Sequence, residues 1–328
     1  MRAAYYDRVG PAREVLTLGE LPTPVPGPGE VRVKLAWSGV NPSDVKARGG
    51  MRSKVLAFPR IVPHSDGAGV IDAVGAGVPA ARIGERVWVW NAAWGRPFGT
   101  AAEYVALPQA QAVPLPPDTE LAAGACLGIP ALTAYHAVTM DGGVAGQAVL
   151  IAGGAGAVGH YAIQFARLRG AKSIVATVSS DEKGALARAA GADMVVNYRT
   201  GDVSAACQDA TGGAGIDRVI EVDLAANAAV DLAVVRPEGR IVAYGSGAPE
   251  MAIPFLPAIV KNVRFSFFIV YNLTPADRAR AVSDLTQVLE RKLLAHNIAV
   301  RLPLDRVAEA HELVEQGRVI GNVVLEIV

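Results

Sequence analysis

The sequence predicts an α/β protein that combines a doubly wound parallel sheet with a largely antiparallel, barrel-like β domain. Short strands with irregular, glycine-rich connections fill the chain up to roughly residue 125. From Gly128 onward, apolar strands alternate with helical segments, a pattern typical of a parallel sheet covered by helices on both faces. A last apolar stretch at 321–327 indicates a strand that we expect to rejoin the first domain.

Composition and charge narrow the function classes. The chain has 328 residues, enough for two domains that each have a core. Its formal net charge is zero and it has no basic stripe, so we expect neither nucleic acid nor an anionic membrane as a partner. The N-terminus has no apolar signal core and no segment is long and apolar enough to span a bilayer, which predicts a cytoplasmic protein. The two cysteines, Cys126 and Cys207, imply no disulfide framework.

The first domain is predicted as strands joined by turns. A Pro/Gly-rich run at 21–29 excludes helix and inner strand, and residues 30–36 then alternate as a half-exposed strand does. Residues 39–46 indicate a turn that leads into a short helix. Two further strands, punctuated by glycines, are expected at 65–75 and 84–90.

The rest of the chain alternates strands with helices. The strands expected for the parallel sheet are 149–151, 173–178, 194–196, 216–221 and 239–245, with helices around 160–167 and 182–190. A long aromatic strand is predicted over 263–271, near the end of that sheet, and a helix over 275–292 follows it. Exposed edges such as 263–271 are expected to pair across a two-fold axis between subunits.

The stretch at 149–159 carries the strongest functional motif. Its first half is an apolar strand, and its second half places Gly153, Gly156 and Gly159 ahead of a helix. Small residues there let a backbone approach a pyrophosphate, and the free N–H groups at the helix start, around Ala157 and Val158, attract its charge. The stretch therefore predicts a nucleotide site, with a tight βα turn that binds nothing as the alternative.

Several short motifs occur in order along nearly the whole chain. They are Asn41-Pro42-Ser43-Asp44, Ser65-Asp66-Gly67-Ala68-Gly69, Gly84-Glu85-Arg86-Val87, Gly128-Ile129-Pro130-Ala131-Leu132-Thr133-Ala134-Tyr135, the glycine stretch, Gly191-Ala192-Asp193, Asn197-Tyr198-Arg199, Ala308-Glu309-Ala310-His311 and Gly321-Asn322. These motifs resemble those of the medium-chain dehydrogenase/reductase superfamily, and within it the zinc-free quinone oxidoreductases related to ζ-crystallin. The resemblance implies a doubly wound parallel Rossmann domain at 126–272, inserted into a GroES-like, largely antiparallel β catalytic domain at 1–125 and 273–328. It also implies a homodimer or homotetramer.

The end of the second parallel strand indicates which nucleotide is bound. An NAD site usually places an Asp or Glu there to bind the ribose 2′-OH. Ser179 occupies that position and Lys183 lies one helical turn further on, so we expect NADP(H), whose 2′-phosphate suits hydroxyl and ammonium donors. Asp181 and Glu182 lie nearby and oppose this preference. The alternatives are an N-cap role for Ser179, with Glu182 as its capping-box partner, and a solvated Lys183.

The resemblance places further residues around the cofactor. Tyr198 is expected near the adenosine phosphate, and Tyr244 and Gly245 at the end of a parallel strand. Phe268 is expected to line the cleft, although aromatic strand residues also serve as core. Asn322 stands where many relatives have a lysine, which removes one positive charge from the cofactor cleft.

No metal is expected. The zinc enzymes of this superfamily hold catalytic zinc with Cys, His and Cys/Asp ligands, whereas this chain has Asn41, Ser65 and Ile129 at or near those positions. His64, one residue from a ligand position, is interpreted as a loop histidine. Cys126 is interpreted as a small buried hydrophobe.

Three residues are candidates for catalysis. Without zinc, hydrogen bonds must polarise an acceptor carbonyl while the nicotinamide delivers a hydride. We expect Asn41 beside the nicotinamide or the acceptor, Asp44 near the active site and Thr133 on the nicotinamide side. The alternatives are a turn residue for Asn41, a helix cap for Asp44 and helix packing for Thr133.

The proton donor is open. Relatives often carry a tyrosine in or shortly after the helix that follows Asn41, but Lys46, Met51 and Arg52 stand there in this chain. Lys46 or water is the expected donor.

The predicted function is the NADPH-dependent reduction of a small-molecule quinone or related α,β-unsaturated carbonyl. A zinc-free alcohol or acyl-thioester (enoyl) reductase on the same scaffold is one alternative. A non-enzymatic NADPH-binding protein is the other.

Overall fold

A computed structural model of the chain describes residues 1–51 and 53–327. It divides into two compact units, which are Met1–Ile129 with Val282–Val328 (the first unit) and Pro130–Ala281 (the second unit). The sequence places the domain boundaries after residues 125 and 272, and these boundaries stay a prediction.

The strands and helices of the described residues are as follows. The strands are β1 (Arg2–Tyr5), β2 (Thr17–Glu20), β3 (Glu30–Val40), β4 (Asp66–Val74), β5 (Arg86–Val89), β6 (Tyr104–Pro108), β7 (Ala112–Pro114), β8 (Ala148–Ile151), β9 (Ser173–Val178), β10 (Met194–Asn197), β11 (Ile216–Glu221), β12 (Val235–Ala243), β13 (Arg264–Phe267), β14 (Ile298–Pro303) and β15 (Asn322–Glu326). The α-helices are α1 (Ala12–Val15), α2 (Pro42–Arg48), α3 (Leu121–Gly124), α4 (Leu132–Thr139), α5 (Ala157–Leu168), α6 (Asp181–Ala189), α7 (Val203–Thr211), α8 (Leu224–Val234), α9 (Phe255–Val260), α10 (Pro275–Glu290) and α11 (Val307–Glu315). Single 3-10 turns lie at Ala80–Arg82, Gln109–Gln111, Met140–Gly142, Val270–Asn272 and Leu304–Arg306, and a π-helical turn at Leu127–Ala131.

The second unit contains a six-stranded sheet in the order β10-β9-β8-β11-β12-β13, and every pair in it is parallel. All four residues of β8 are buried, as expected of a strand covered on both faces. The chain proceeds outward from β8 on one side and then from β11 on the other. The carboxyl ends of these two central strands therefore border the crevice in which doubly wound sheets bind ligands.

The first unit contains a seven-stranded sheet that follows the order β14-β15-β3-β4-β5-β7, with β6 paired to β3. Its pairs are antiparallel except for β14 with β15. The closing strand β15 pairs with β3 through Val323 opposite Val40, so the chain end rejoins this unit as the sequence predicts. Buried apolar residues such as Val33, Val87 and Leu325 form its core.

One predicted element is wrong in length. The aromatic segment 263–271 is not a single long strand, because β13 covers only Arg264–Phe267 and a 3-10 turn follows at Val270–Asn272. The apolar, aromatic composition mimics a strand, but Val270 and Tyr271 are buried by packing within the turn and not by a ladder. None of the helices in the described ranges has the length and apolar character that a membrane crossing requires.

Candidate active site

The glycine loop connects β8 to α5 with a close backbone approach. Gly153 has a positive φ of 67°, which favours glycine. A Cβ at Gly159 would lie 2.2 Å from the carbonyl oxygen of Gly153, so even one methyl group cannot fit there without moving the loop. The first turn of α5, with Ala157 and Val158, therefore lies against the loop with its N–H groups at the carboxyl edge of the sheet.

A hydroxyl and an ammonium group lie together at the end of β9. The Nζ of Lys183 is 2.9 Å from the Oγ of Ser179. The N-cap of α6 is Ser180, whose Oγ accepts from the N–H of Lys183, so the alternative N-cap role of Ser179 is wrong. Ser179 is thus left outside the helix, and its hydroxyl faces the lysine.

Tyr198 extends this group of side chains. Its N–H donates to the carbonyl of Val178 at 3.0 Å, which sets it level with Ser179 on the neighbouring strand. It is 52% exposed, a large fraction for a tyrosine. The structure therefore brings Ser179, Lys183 and Tyr198 to one corner of the sheet, next to the exposed first turn of α6.

Aromatic rings gather at the ends of β12 and β13. The rings of Phe268 and His136 meet edge to face at 4.7 Å, and the Tyr244 ring lies 6.5 Å from Phe268. Gly245 follows, and a Cβ there would lie 2.4 Å from the carbonyl oxygen of Val222. Burial lowers the pKa of His136, so this imidazole is held neutral.

Thr133 lies in α4 of the second unit and is buried. This position is compatible with the helix-packing alternative. Its catalytic role stays a prediction.

In the first unit, the buried carboxylate of Asp66 connects two chain segments. Its Oδ2 accepts from the Nδ2 of Asn41 at 2.9 Å and from the N–H of Ile129 at 3.0 Å. Asp44 accepts in turn from the N–H of Asn41 at 2.8 Å and so caps the start of α2. Asp44 therefore caps the helix, which is the alternative role that the sequence suggests for it. Asn41 is held between the carboxylates of Asp44 and Asp66.

A series of buried hydrogen bonds begins at the backbone carbonyl of Asp66. The hydroxyl of Thr100 donates to the carbonyl of Asp66 at 2.5 Å, and the Oγ of Ser38 lies 2.8 Å from the Oγ1 of Thr100. The Nδ1 of His64 is 2.9 Å from Ser38, and its Nε2 is 2.9 Å from the Nε2 of His311. All of these side chains are buried.

The donor order in this series follows from counting protons. The one hydroxyl proton of Thr100 goes to the Asp66 carbonyl, so Ser38 must donate to Thr100. His64 must then donate from Nδ1 to Ser38 and accept at Nε2 from His311.

Both imidazoles in this series are neutral. Burial lowers the pKa of His64 to about 3. Burial, followed by the neighbouring His64 and Arg48, also lowers the pKa of His311. His64 is a loop residue as predicted, but its partner 247 residues away was not foreseen.

Two further residues singled out from the sequence lie in the first unit. The backbone N–H and the Nδ2 of Asn322 both donate to the carbonyl of Asn297, at 2.9 and 3.0 Å. Lys46 lies in the last turn of α2. Arg52, the other cation considered near that helix, lies outside the described residues.

Sequence reasoning missed the function of Asp66 as a hydrogen-bond acceptor for Asn41 and Ile129. Its motif, Ser65-Asp66-Gly67, carried a signal, because an acid at the start of an apolar, glycine-rich strand must find donors once it is buried. The donors themselves come from distant segments and have no local signature.

Comparisons with known proteins match both parts of the chain to protein families. The alcohol dehydrogenase GroES-like domain matches residues 27–117, and the zinc-binding dehydrogenase family matches residues 157–287. Human quinone oxidoreductase is 32% identical over 306 residues, covering 93% of this chain and 91% of the human protein. The chain belongs to the quinone oxidoreductase family of the medium-chain dehydrogenase/reductase superfamily. It is therefore an oxidoreductase, and the predicted fold class of a Rossmann domain with a GroES-like domain is confirmed.

Two solved structures are similar to this chain over its whole length. An NAD-dependent alcohol dehydrogenase is 32% identical with a TM-score of 0.91, and the alignment covers 100% of both chains. A mycobacterial protein complexed with NADPH is 27% identical with a TM-score of 0.89, again over 100% of both chains.

Proposed function

We propose that this oxidoreductase uses NADPH to reduce a quinone or a related α,β-unsaturated carbonyl, and that it does so without zinc. The observation that carries the proposal is the contact between Lys183 Nζ and Ser179 Oγ at the end of β9. These groups suit a 2′-phosphate, and the carboxylate that usually binds a ribose 2′-OH is replaced by Ser179.

The glycine loop fits the pyrophosphate of such a cofactor. Gly159 lets α5 pack closely against the loop, and the free N–H groups of the first turn of α5 are then available to a phosphate at the edge of the sheet. Tyr198 stands on the next strand end with half of its surface exposed, where its ring can cover the adenosine. The NADPH complex of the mycobacterial relative is consistent with this choice.

Zinc does not fit the donor set at the superfamily's ligand positions. Asn41 offers an amide that is already bonded to Asp66, Ser65 offers a hydroxyl, and Ile129 offers no ligand atom. Burial and the Asp66 carboxylate raise the pKa of the Cys126 thiol, and this buried side chain stays a protonated, small apolar group. Among residues 1–51 and 53–327, no group of three or more His, Cys, Asp and Glu side chains is placed to hold a metal ion.

The chemistry follows from these residues. NADPH, when bound, supplies a hydride to the acceptor, which takes up one proton as well. The glycine loop, Ser179, Lys183 and Tyr198 bind and orient the cofactor, together with Tyr244, Gly245 and Phe268. Asn41 and Thr133 are proposed to contact the acceptor or the nicotinamide, and Asp44 to fix the position of Asn41 through the bond to its N–H. Lys46 or water is proposed as the proton source.

A second candidate function is NAD-linked alcohol oxidation. It is favoured by one observation, the similarity to the NAD-dependent alcohol dehydrogenase at 32% identity. The amide, hydroxyl and alkyl groups at the zinc positions count against it, because alcohol oxidation in this superfamily relies on a Lewis acid there.

The test is a steady-state assay of the purified protein with naphthoquinone, benzoquinone and a 2-alkenal, each with NADPH and with NADH. We expect quinone reduction with NADPH preferred. The Lys183→Ala variant should raise the KM for NADPH about fivefold, the effect of roughly 1 kcal/mol, and leave the KM for NADH unchanged. Lys172→Ala, which removes an exposed lysine of the same unit, is the matched control.

Other outcomes of this assay reject parts of the proposal. Turnover of the alkenal alone would change the acceptor class to enones. Oxidation of an alcohol with NAD⁺, in the absence of quinone reduction, would establish the second candidate. Stoichiometric zinc in the active protein would contradict the zinc-free mechanism.

We also propose that the protein is a homodimer. The strand β13 forms one edge of the parallel sheet, and α9, which precedes it, exposes Phe255, Leu256 and Val260 by 73, 68 and 72%. An open edge beside exposed apolar side chains favours pairing with a second copy. Light scattering should give twice the 34.0 kDa of one chain, and Leu256→Asp should shift the protein to a monomer.

A further inference from the structure

Two carboxyl groups of the second unit are buried against each other. Glu221 ends β11 and is 0% exposed, and Asp231 lies two turns along α8 and is 2% exposed. The two carboxyl groups lie close enough for a hydrogen bond between them. Two ionised carboxylates cannot form such a bond, since neither has a hydrogen to donate.

The remaining contacts of the pair assign one proton to it. The Oε1 of Glu221 accepts from the N–H of Asp223 at 2.5 Å and from the Nδ2 of Asn227 at 3.0 Å. Within the described ranges, no ordinary donor reaches Glu221 Oε2 or Asp231 Oδ2. A single proton shared between the two carboxyl groups supplies the hydrogen that their contact requires. The N–H donors favour the ionised form of Glu221, so the proton resides on Asp231.

The pair lies at the carboxyl edge of the two central strands. The carbonyl of Ile220 accepts from the N–H of Ala152 at 3.0 Å, so Glu221 stands beside the start of the glycine loop. The carbonyl of Glu221 accepts from the N–H of Tyr244 at 3.1 Å. Asp223, whose N–H is fixed by Glu221, accepts from the N–H of Gly247 at 2.7 Å.

The connected bonds fix two loops relative to each other. Glu221 determines the path of 222–223, and Asp223 then ties down the segment 244–247 that follows β12. The carbonyl of Val222 lies so close to Gly245 that a Cβ there would come within 2.4 Å. Any shift of Glu221 is therefore transmitted to both loops, which adjoin the crevice where the proposed cofactor binds.

We infer that Glu221 and Asp231 share one proton and act together as a positioning pair that holds the loops at 222–223 and 244–247 in the shape that binds NADPH. The inference rests on the proposed function for its ligand. Neither residue touches the reacting atoms, and the pair acts through Asp223 and Val222.

The charged and titratable groups around the pair are few. Asp223 follows on the same loop, and Tyr244 faces it from the end of β12, with a pKa raised by burial and by the Glu221 carboxylate. Cys207 faces it from α7, with a pKa raised to about 12 by burial and by Asp231. Lys261 is the cation that lies near the end of α8, where its Nζ donates to the carbonyls of Leu232, Ala233 and Val235. Asp223, Tyr244 and Cys207 carry no positive charge that could offset a second negative charge on the pair.

The shared proton makes the conformation of the two loops depend on pH. Burial and the neighbouring Glu221 raise the pKa of Asp231 from its ordinary value of 3.8 to about 9. Above that pH the pair holds two negative charges, which repel each other and release the loops. Because the folded protein binds this proton more tightly than the unfolded chain, stability also falls as the pH rises from about 4 to about 9 and then levels off.

The experiment compares wild type with Asp231→Asn and Glu221→Gln. Each variant replaces the shared proton with an amide hydrogen of the same shape, so we expect folding and an NADPH Kd within about twofold of wild type at neutral pH. The Asp209→Asn variant, which changes an exposed aspartate on α7 of the same unit, is the matched control.

Titration of NADPH affinity above neutral pH gives the decisive result. The Kd of wild type and of Asp209→Asn should rise about fivefold or more between roughly pH 8 and 10, while Asp231→Asn should lose most of that rise. The KM for the quinone should not follow this profile. Thermal unfolding should show wild type losing stability relative to Asp231→Asn as the pH is raised from about 4 to about 9.

Two results would overturn the inference. One is an identical alkaline profile of NADPH affinity in wild type and Asp231→Asn. The other is a change in thermal stability with no change in NADPH affinity, which would make the pair purely structural. Absence of NADPH binding in every protein at every pH would instead reject the proposed function, and the unfolding profiles would still report on the shared proton.

Discussion

In the first unit, Asn41, Asp44 and His64 are buried and bonded to other residues of that unit. In the second unit, Ser179, Lys183 and Tyr198 instead lie at the edge of a parallel sheet and are partly exposed. Asn41 and His64 have their partners inside the protein. Lys183 and Tyr198 keep donor groups at the surface. Binding a charged nucleotide requires donors that water can still reach, and the second unit alone among the two provides them at its predicted site.

The buried titratable groups of the two units are kept neutral by pKa shifts of opposite sign. In the first unit, burial lowers the pKa of His64 and His311, so both imidazoles stay neutral. Each then donates one hydrogen bond, His311 to His64 and His64 to Ser38. In the second unit, burial raises the pKa of Asp231, so that one acid of the pair stays neutral. A low-dielectric interior favours the uncharged form in each case, and the sign of the shift depends on whether the group is a base or an acid.

The largest expected effect is on the nucleotide side. Adding one methyl group with Gly159→Ala places a carbon 2.2 Å from the Gly153 carbonyl and forces the loop and α5 apart. We expect NADPH affinity to fall by about 100-fold, or nearly 3 kcal/mol, measured by quenching of tryptophan fluorescence. In Gly184→Ala the new carbon would lie 3.4 Å from its nearest neighbours, so this second helical glycine is the control. Equal affinities in the two variants would contradict the close approach.

The next effect concerns the buried carboxylate of the first unit. Asp66→Ala leaves the amide of Asn41 and the N–H of Ile129 without their acceptor, at an expected cost of about 3 kcal/mol. Asp72→Ala on the same strand breaks an ion pair with Arg32 whose side chains are 22 and 28% exposed, and should cost about 1 kcal/mol or less. Urea unfolding midpoints measure both. A smaller loss for Asp66→Ala than for Asp72→Ala would show that the buried bonds contribute little.

The histidine pair predicts a loss of stability in acid. Both imidazoles are neutral in the folded protein but take up protons in the unfolded chain below about pH 6.5, so stability present above that pH is lost as the pH falls. Each histidine contributes a slope of about 1.4 kcal/mol per pH unit. His311→Gln keeps an N–H for His64 and should reduce the slope by that amount, measured from urea midpoints between roughly pH 6.5 and 4.5. Parallel curves for wild type and variant would contradict neutral histidines.

The smallest effects separate two residues that were both expected near the cofactor. Tyr198→Ala removes an exposed ring and should weaken NADPH binding about threefold with little change in stability. Asn322→Ala removes a buried bond to Asn297 and should cost about 1 kcal/mol of stability while the NADPH Kd changes less than about twofold. Titration of NADPH and thermal unfolding of both variants measure the difference. A larger loss of affinity in Asn322→Ala than in Tyr198→Ala would reverse the comparison.

Local patterns were sufficient for most of the architecture. The strand predicted at 173–178 and that at 216–221 match β9 and β11 residue for residue, because short apolar runs bounded by turns have few other solutions. The prediction of one long strand over 263–271 is wrong, because composition alone does not distinguish a buried aromatic turn from a strand.

The sequence by itself determined the alternation of strands and helices, the glycine loop and the position of Ser179 and Lys183, since each depends on neighbours within a few residues. Tertiary structure alone decided that His311 reaches His64, that Asp66 joins Asn41 to Ile129, and that Glu221 and Asp231 are buried against each other. The physical reason is that a buried polar group must find its partner wherever the fold brings one, and spacing along the chain carries no record of that meeting.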